Sequence, residues 1–554
     1  MDKNFDNIHF CFDFSFFTMF DVSFQMFSAL VPHLEILDSV LLDVTILQEQ
    51  LQLRYGPRVD NTTEHLLNLK QEWQRFKLVR DNIEAIDTDI YKVIKQLKLL
   101  KNNEAGTEAE EIVNGVVINE LDQTELMKLF KKLNMILKKA ILPLRYLEDY
   151  IIPELLKLPN TISSNSPLHL DQVETSVFLP PDIKFEPKSH LLLGKFSKTI
   201  EMSVTSPGSY YLSGKLAECE LALQDYVADI LDRHQFLQHS NPDFSKGICV
   251  EACGMNHLEK GYSHSGEALR LIRNAAQEDA SPIFLVGGAS LPSFLGYFAK
   301  RIVTNVAKFM PQKLFAVGRL YNNPESLCLS DHHNINSTSA TDNSSTSVYQ
   351  SSTTGNDIFS SIQTTAVTSL TLYMKDIRAE SLVVAEMLDI ISAIYDGLGL
   401  HYRVVNLRAS LLKSYEKQSY SIQMLSTKPP RVTNTISGVN DNDPSTVQSD
   451  AVNNTDFNSN TSCEVSPFQY VEIGRLSVCG SYISRRLLML YAKEGDSHVP
   501  VEHRPPEHEF MECVYCQLLN VSKFLAVMLE NTQTDTGSYR VPDALLQYML
   551  SGAK

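Results

Sequence analysis

The chain has 554 residues, 43% of them apolar, and a net charge of −17. That apolar share excludes a chain disordered throughout, and the length leaves room for about two to four domains with at least one large core. The acidic balance excludes a wholesale electrostatic grip on nucleic acid, though a local basic patch is compatible with it.

Residues 1–30 hold nine Phe, and Lys3 is the only Lys or Arg before Arg54. A matrix-targeting peptide is Arg- and Ser-rich and poor in acids, so this stretch matches that pattern poorly. It has no clean signal-peptide layout either, and residues 1–60 read as an extension whose order is left open. No apolar run in the chain reaches transmembrane length.

Over residues 61–160 the text turns helical. Leu69, Trp73, Phe76, Val79, Ile83, Ile86, Ile90, Val93, Leu97 and Leu100 recur at steps of three and four. That predicts a long helix with a coiled-coil-like seam over about four heptads. Leu126, Leu129, Leu133, Ile136 and Ala140 repeat the pattern. Pro143 is expected to kink or interrupt it before Leu144, Leu147 and Ile151 resume. The intervening 102–123 stretch carries Gly106, Gly115 and many acids, so the simplest topology is an antiparallel helical hairpin. Lys92, Lys95, Lys98 and Lys101 have no acid among them, and neither do Lys128, Lys131, Lys132, Lys138 and Lys139. The hairpin would bring both runs together near its tip. They read either as a nucleic-acid surface that neutralises phosphates or as a solvated helix face.

From Pro167 the chain reads as mixed strands and helices forming one core over 167–554. Residues 215–233 form one amphipathic helix, with Leu216, Cys219, Leu223, Tyr226, Val227 and Ile230 on one face. Strands are predicted at 282–286, 313–317, 369–374, 402–405 and 470–473, and helices at 379–398 and 516–531. Two low-complexity insertions, about 322–363 and 426–466, are rich in Ser, Thr, Asn and Asp and lack the apolar surface to order themselves. Sequons at Asn336 and Asn460 fall in these tracts and reflect their polar composition. Nine scattered cysteines show no disulfide framework and point to a reducing compartment. Cys513 and Cys516 make a lone CxxC, and His503 and His508 sit among Glu502, Glu507 and Glu509; both read more readily as structural or solvated features than as metal sites.

The C-terminal text LAVMLENTQTDTGSYRVPDALLQYM resembles the end of seryl-tRNA synthetases, through Leu529-Glu530-Asn531, Val541-Pro542-Asp543 and Tyr548-Met549. EIGRLSVCGSYISRRLLMLY looks like that family's EISSxSNCxDxQxRRxxIRY, keeping Glu472, Ser477, Cys479, Tyr482 and Arg485-Arg486. SPGSYYLSGKLAECELAL resembles the first class II motif, and GLGLHYRVV resembles the phrase before the family's last strands. These phrases run in family order from about Ser189 to Met549. The resemblance implies an α+β fold: a class II aminoacyl-tRNA synthetase-like antiparallel sheet core behind an N-terminal coiled-coil arm.

Aminoacyl activation builds charge on the α-phosphate of ATP, which calls for a bidentate Arg and carboxylate-held metal. By the resemblance, the second-motif Arg and Glu fall on Asn322 and Pro324. Arg319 lies an odd number of residues earlier, which along a strand turns it to the other face. The third-motif Arg falls on Lys523, with Tyr515 and Cys516 at the preceding Asn and Gly. The serine-binding Glu falls on Ser290, an Asp-x-Glu pair on Ser421 and Gln423, and the Asn of SNC on Val478, whereas Glu472, a metal-binding position of the family, survives. Losing one preorganised donor costs roughly 10²–10³ in rate. Several losses together imply no aminoacylation, and no metal or cofactor is expected.

This combination resembles the catalytically degenerate seryl-tRNA synthetase-like proteins of insect mitochondria. That resemblance implies a matrix protein that pairs with mitochondrial seryl-tRNA synthetase through the surface near residues 210–233. It further implies support of mitochondrial translation and genome maintenance, with RNA or mitochondrial DNA and the matrix Lon protease as further partners. The rival readings are a divergent adenylating enzyme and an RNA-binding scaffold that acts alone.

Overall fold

The computed structural model describes residues 44–56, 62–102, 112–113, 116–117, 122–177, 185, 187–204, 208–254, 268–271, 282–321, 358–426, 469–492 and 508–551. Among the described residues three helices come first: α1 Val44–Tyr55, α2 Thr62–Asn102 and α3 Gln123–Lys157. α2 and α3 are antiparallel. Leu66, Leu69, Trp73 and Phe76 pack with Leu147, Ile151 and Leu155, while Ile83 to Leu97 pack with Leu126 to Leu137. Two short paired strands, Ile112–Val113 and Val116–Val117, lie in the connection.

Three details depart from the periodicity. Ile136 is exposed and Leu137 takes its place in the seam, a one-residue drift expected when 3.6 residues per turn meets a seven-residue repeat. α3 continues through Pro143. The proline removes one backbone bond, but Leu147 and Ile151 beyond it are buried, so packing holds the turn. Within the N-terminal extension, α1 buries Val44, Leu47 and Leu51 against the hairpin base. Its Arg54 donates to the carbonyls of Lys413 (3.1 Å), Asn160 (2.9 Å) and Glu416 (2.6 Å), so α1 is fastened to the core as well.

The core is an eight-stranded sheet. We number its strands β1 Gln172–Val177, β2 Leu237–Gln238, β3 Gln312–Tyr321, β4 Gln363–Tyr373, β5 Tyr402–Asn406, β6 Gln418–Ser426, β7 Gln469–Gly480 and β8 Glu512–Asn520. Their order is β1-β5-β6-β7-β8-β4-β3-β2, antiparallel throughout except for the short β3–β2 pair. Four helices bear on the chemistry below: α4 Lys215–Arg233, α5 Leu291–Phe298, α6 Ile377–Leu398 and α7 Val521–Asn531. The predicted strands 313–317, 369–374, 402–405 and 470–473 fall on β3, β4, β5 and β7, 282–286 falls on a separate strand, Ile283–Leu285, outside this sheet, and one expected helix start is displaced. Residues 516–520, expected to begin a helix, finish β8 between β7 and β4. The helix starts only where the Asn520 side chain accepts from Lys523 N (3.1 Å). Asn520→Ala is expected to cost about 1–2 kcal/mol through the lost cap, measured as a shift in the urea midpoint.

Side chains alternate between the two faces of the sheet. On β3, Phe315 joins the cluster built with α4, α6 and α7, whereas Leu314 and Ala316 join the cluster built with α5. On β8, Cys516 faces the first cluster and Cys513 the second, so the CxxC thiols diverge and do not converge on a metal. All six hydrophobic positions expected on α4 are buried. Arg486 stacks on Tyr482 (3.4 Å to the ring centre) and donates to Leu158 O (3.3 Å), which makes the Arg485-Arg486 phrase part of the joint between core and arm.

Candidate functional site

A polar cleft opens over the strands β3, β4, β7 and β8. It is lined by Ser290, Tyr321, Thr364, Lys413, Tyr415, Glu472, Arg475, Ser477, Gln517, Tyr515 and Lys523, among others. Local sequence dictates each placement. Gly287, at φ +89°, lets the turn before α5 press on β3; a Cβ there would stand 2.0 Å from Arg319 O. That approach sets Ser290 at the N-terminus of α5 over the cleft. Tyr321 is the last residue of β3. The β8–α7 junction puts Lys523 in the first helical turn, and its Nζ lies 3.5 Å from Glu472 O.

Four of the eight described positions singled out by resemblance meet here. Ser290, Tyr515, Glu472 and Lys523 share one cleft. Val478 does not: it is fully buried on the other face of β7, in the cluster with Leu476. Asn322, Pro324, Glu502, His503 and Glu507 lie outside the described residues, as do most of the two low-complexity insertions. Arg319 faces away, as its odd offset predicts. Its guanidinium donates to Thr365 Oγ1 (2.6 Å) and lies 3.8 Å from Glu220 on α4.

Arg475 in the cleft wall is paired with a buried carboxylate, Glu416, which sequence reasoning passed over. Glu416 is fully buried; it accepts from Arg475 Nε (2.9 Å) and Nη2 (2.8 Å), from Ser477 Oγ (2.6 Å) and from Lys413 N (2.7 Å). Burial pushes its carboxyl up, but the adjacent Arg475, Lys413 and the Ser477 hydroxyl hold it at about 2. Arg475 is also 3.6 Å from Glu472, whose carboxylate accepts from Ser421 Oγ (2.6 Å). Glu472 is thus engaged by a guanidinium and a hydroxyl. The signal was present in the text: Arg475 is a lone charge inside the strand-like run Ile473-Gly474-Arg475-Leu476. With Arg475 and Tyr515 in place, the cleft holds only about 110 Å³, below the roughly 300–1,000 Å³ of sites that take drug-sized ligands.

The nine arm lysines distribute as follows. Lys128, Lys131, Lys132, Lys138 and Lys139 are exposed on α3. Lys92 and Lys95 are half-buried on α2, with Lys92 3.5 Å from Asp89. The side chains of Lys98 and Lys101 lie outside the described residues.

No family model matches this chain. It is 22% identical over 194 residues to the mitochondrial serine–tRNA ligase of Mus musculus, covering 33% of this chain and 35% of that protein. It is also 22% identical over 213 residues to the Bos taurus mitochondrial serine–tRNA ligase, covering 37% and 39%. A shorter stretch of 81 residues is 36% identical to a serine–tRNA ligase of Methylocella silvestris, covering 15% and 16%. The matching segments therefore span less than half the length of these curated relatives. Two solved structures extend over nearly the whole chain. Cytoplasmic serine–tRNA ligase from Naegleria fowleri, solved with AMP, superposes with a TM-score of 0.59 at 15% identity over 92% of this chain and 95% of that one. Seryl-tRNA synthetase from Pyrococcus horikoshii, solved with ATP, gives 0.60 at 14% identity over 92% and 97%.

Proposed function

We propose that this chain, which has the class II seryl-tRNA synthetase fold, works without aminoacylating. In this reading it is a binding or regulatory subunit that pairs with mitochondrial seryl-tRNA synthetase and supports mitochondrial translation and genome maintenance. The observation that carries the reading is the pairing of Arg475, in the cleft wall, with the buried Glu416. A site for activating an amino acid needs donors aimed at a phosphate that is yet to arrive. Here the guanidinium in the cleft is spent on an internal carboxylate, Lys523 reaches a backbone carbonyl, and Ser290 supplies no charge for an amino group.

Other features support the finer parts. The similarity to the mouse and cattle enzymes supports a mitochondrial location. Tyr211 (61% exposed) and Leu221 (63% exposed) give the surface around α4 apolar side chains suited to pairing. The exposed lysines of α3 support an RNA-facing arm.

Two measurements test the proposal. Serine-dependent ATP–pyrophosphate exchange by the purified chain is expected to stay at background, and robust exchange would establish the divergent-enzyme reading instead. Co-expression with the same organism's mitochondrial seryl-tRNA synthetase is expected to yield a mixed dimer. Recovery of separate homodimers or monomers would remove the pairing and leave a lone scaffold.

A further inference from the structure

Between Asp279 and Glu325 the sequence has no acidic residue, yet it holds Lys300, Arg301, Lys308, Lys313 and Arg319, in a chain of net charge −17. The structure divides these five cations. Lys313 pairs with Glu386 (2.6 Å) and Arg319 lies 3.8 Å from Glu220. Lys300, Arg301 and Lys308 are exposed and have no carboxylate partner among the described residues. Across the adjoining strands, Glu509 accepts from the Tyr491 hydroxyl.

Aromatic and apolar side chains interleave with these cations. The Arg301 guanidinium lies over the Tyr297 ring, 3.8 Å from its centre, and Tyr297 meets His239 edge-on at 5.0 Å. Lys308 sits over Phe309 at 5.3 Å. Tyr297, Ile302 and Phe309 are 46%, 47% and 47% exposed, large values for side chains of this kind in one short segment. Backbone bonds fix the segment: Lys300 N donates to Leu487 O (2.8 Å), and Ile302–Val303 pairs with Leu490–Tyr491. The surface is therefore held in place by backbone bonds on the core, on different elements from the lysines of the arm.

We propose that this face, Tyr297 to Phe309, binds single-stranded nucleic acid. One base stacks on the outer plane of the Arg301 guanidinium, which Tyr297 backs. Lys300 and Lys308 take the flanking phosphates, and Ile302 and Phe309 offer apolar contact to a neighbouring base. Unpaired bases stack on aromatic rings and on Arg planes, and Lys grips backbone phosphates, so the residue types match that chemistry. An acidic peptide would need the charges but not the stacked Arg–Tyr plane.

The test is binding of the full chain to labelled oligo(U) and oligo(dT) 12-mers, and to a Glu-rich peptide of equal charge, across a salt series. Arg301→Ala and Tyr297→Ala are each expected to weaken oligonucleotide binding about tenfold with unchanged thermal unfolding, as for loss of a stacking partner. Lys300→Glu with Lys308→Glu is expected to reduce the salt slope by roughly 1.5–2. A stronger grip on oligo(U) than on oligo(dT) would assign the ligand as RNA; the reverse would assign DNA. No oligonucleotide binding by the wild type, binding that these variants leave unchanged, or equal losses on the peptide would each overturn the proposal. Because the arm lysines stay intact in these variants, loss on arm variants alone sinks this face without touching the arm.

Discussion

Arg475→Ala is expected to lower the stability of the core by about 3–5 kcal/mol, because it strands a buried carboxylate without its counter-charge. Glu416 is fully buried and takes two of its hydrogen bonds from Arg475. Removing both partners should cost far less: Arg475→Met with Glu416→Leu leaves no buried charge and is expected to recover most of the loss. The pH dependence has a defined sign. The folded carboxyl titrates at about 2, below the ordinary value near ~4.3. Its contribution is therefore complete above about pH 4.3 and is lost as the pH falls towards 2. Urea titrations of the wild type and both variants between these limits and pH 7 check this. An Arg475→Ala variant as stable as the wild type at pH 7 would mean that Lys413 and the hydroxyls alone hold the carboxylate.

The second large effect concerns the arm. Charge reversal of Lys95, Lys98, Lys131 and Lys138 to Glu is expected to weaken binding of a tRNA transcript on the order of 10²-fold at low salt. The slope of log K against log[salt] should flatten by about 3–4, since each phosphate contact contributes roughly 0.9. Lys131 and Lys138 are exposed on α3, so their replacement leaves the buried seam of Leu126, Leu133 and Leu137 untouched. Unchanged affinity and slope would assign these lysines to a solvated helix face. Lys92, already 3.5 Å from Asp89, is a poorer target because part of its charge is answered within the helix.

Patterns with a short period were legible in the text. The arm seam, the apolar face of α4 and the strands β3, β4, β5 and β7 follow from spacing, because helix and strand impose their own repeat on which side chains are buried, whereas β6 and β8 were not legible as strands. The same alternation predicted that Arg319 would turn away from the cleft. Boundaries were less legible. Nothing local marked residues 516–520 as strand rather than helix, and what decided it was pairing with β4 and β7, which lie far away in the chain.

What the sequence by itself determined is the residue type at the positions singled out by resemblance: Ser290, Lys523 and Glu472. Chemistry at those positions depends on residue type, which is written in the chain. Only the tertiary structure decided what became of the cleft. Glu416 and Arg475 are 59 residues apart, and neither shows a partner until β6 and β7 pair and bury the carboxylate. Arg54 likewise shows its role only when α1 reaches the carbonyls of Lys413 and Glu416. A buried charge must find its partner wherever the fold places one, so the identity of that partner is a property of the packed molecule and not of any local stretch of its sequence.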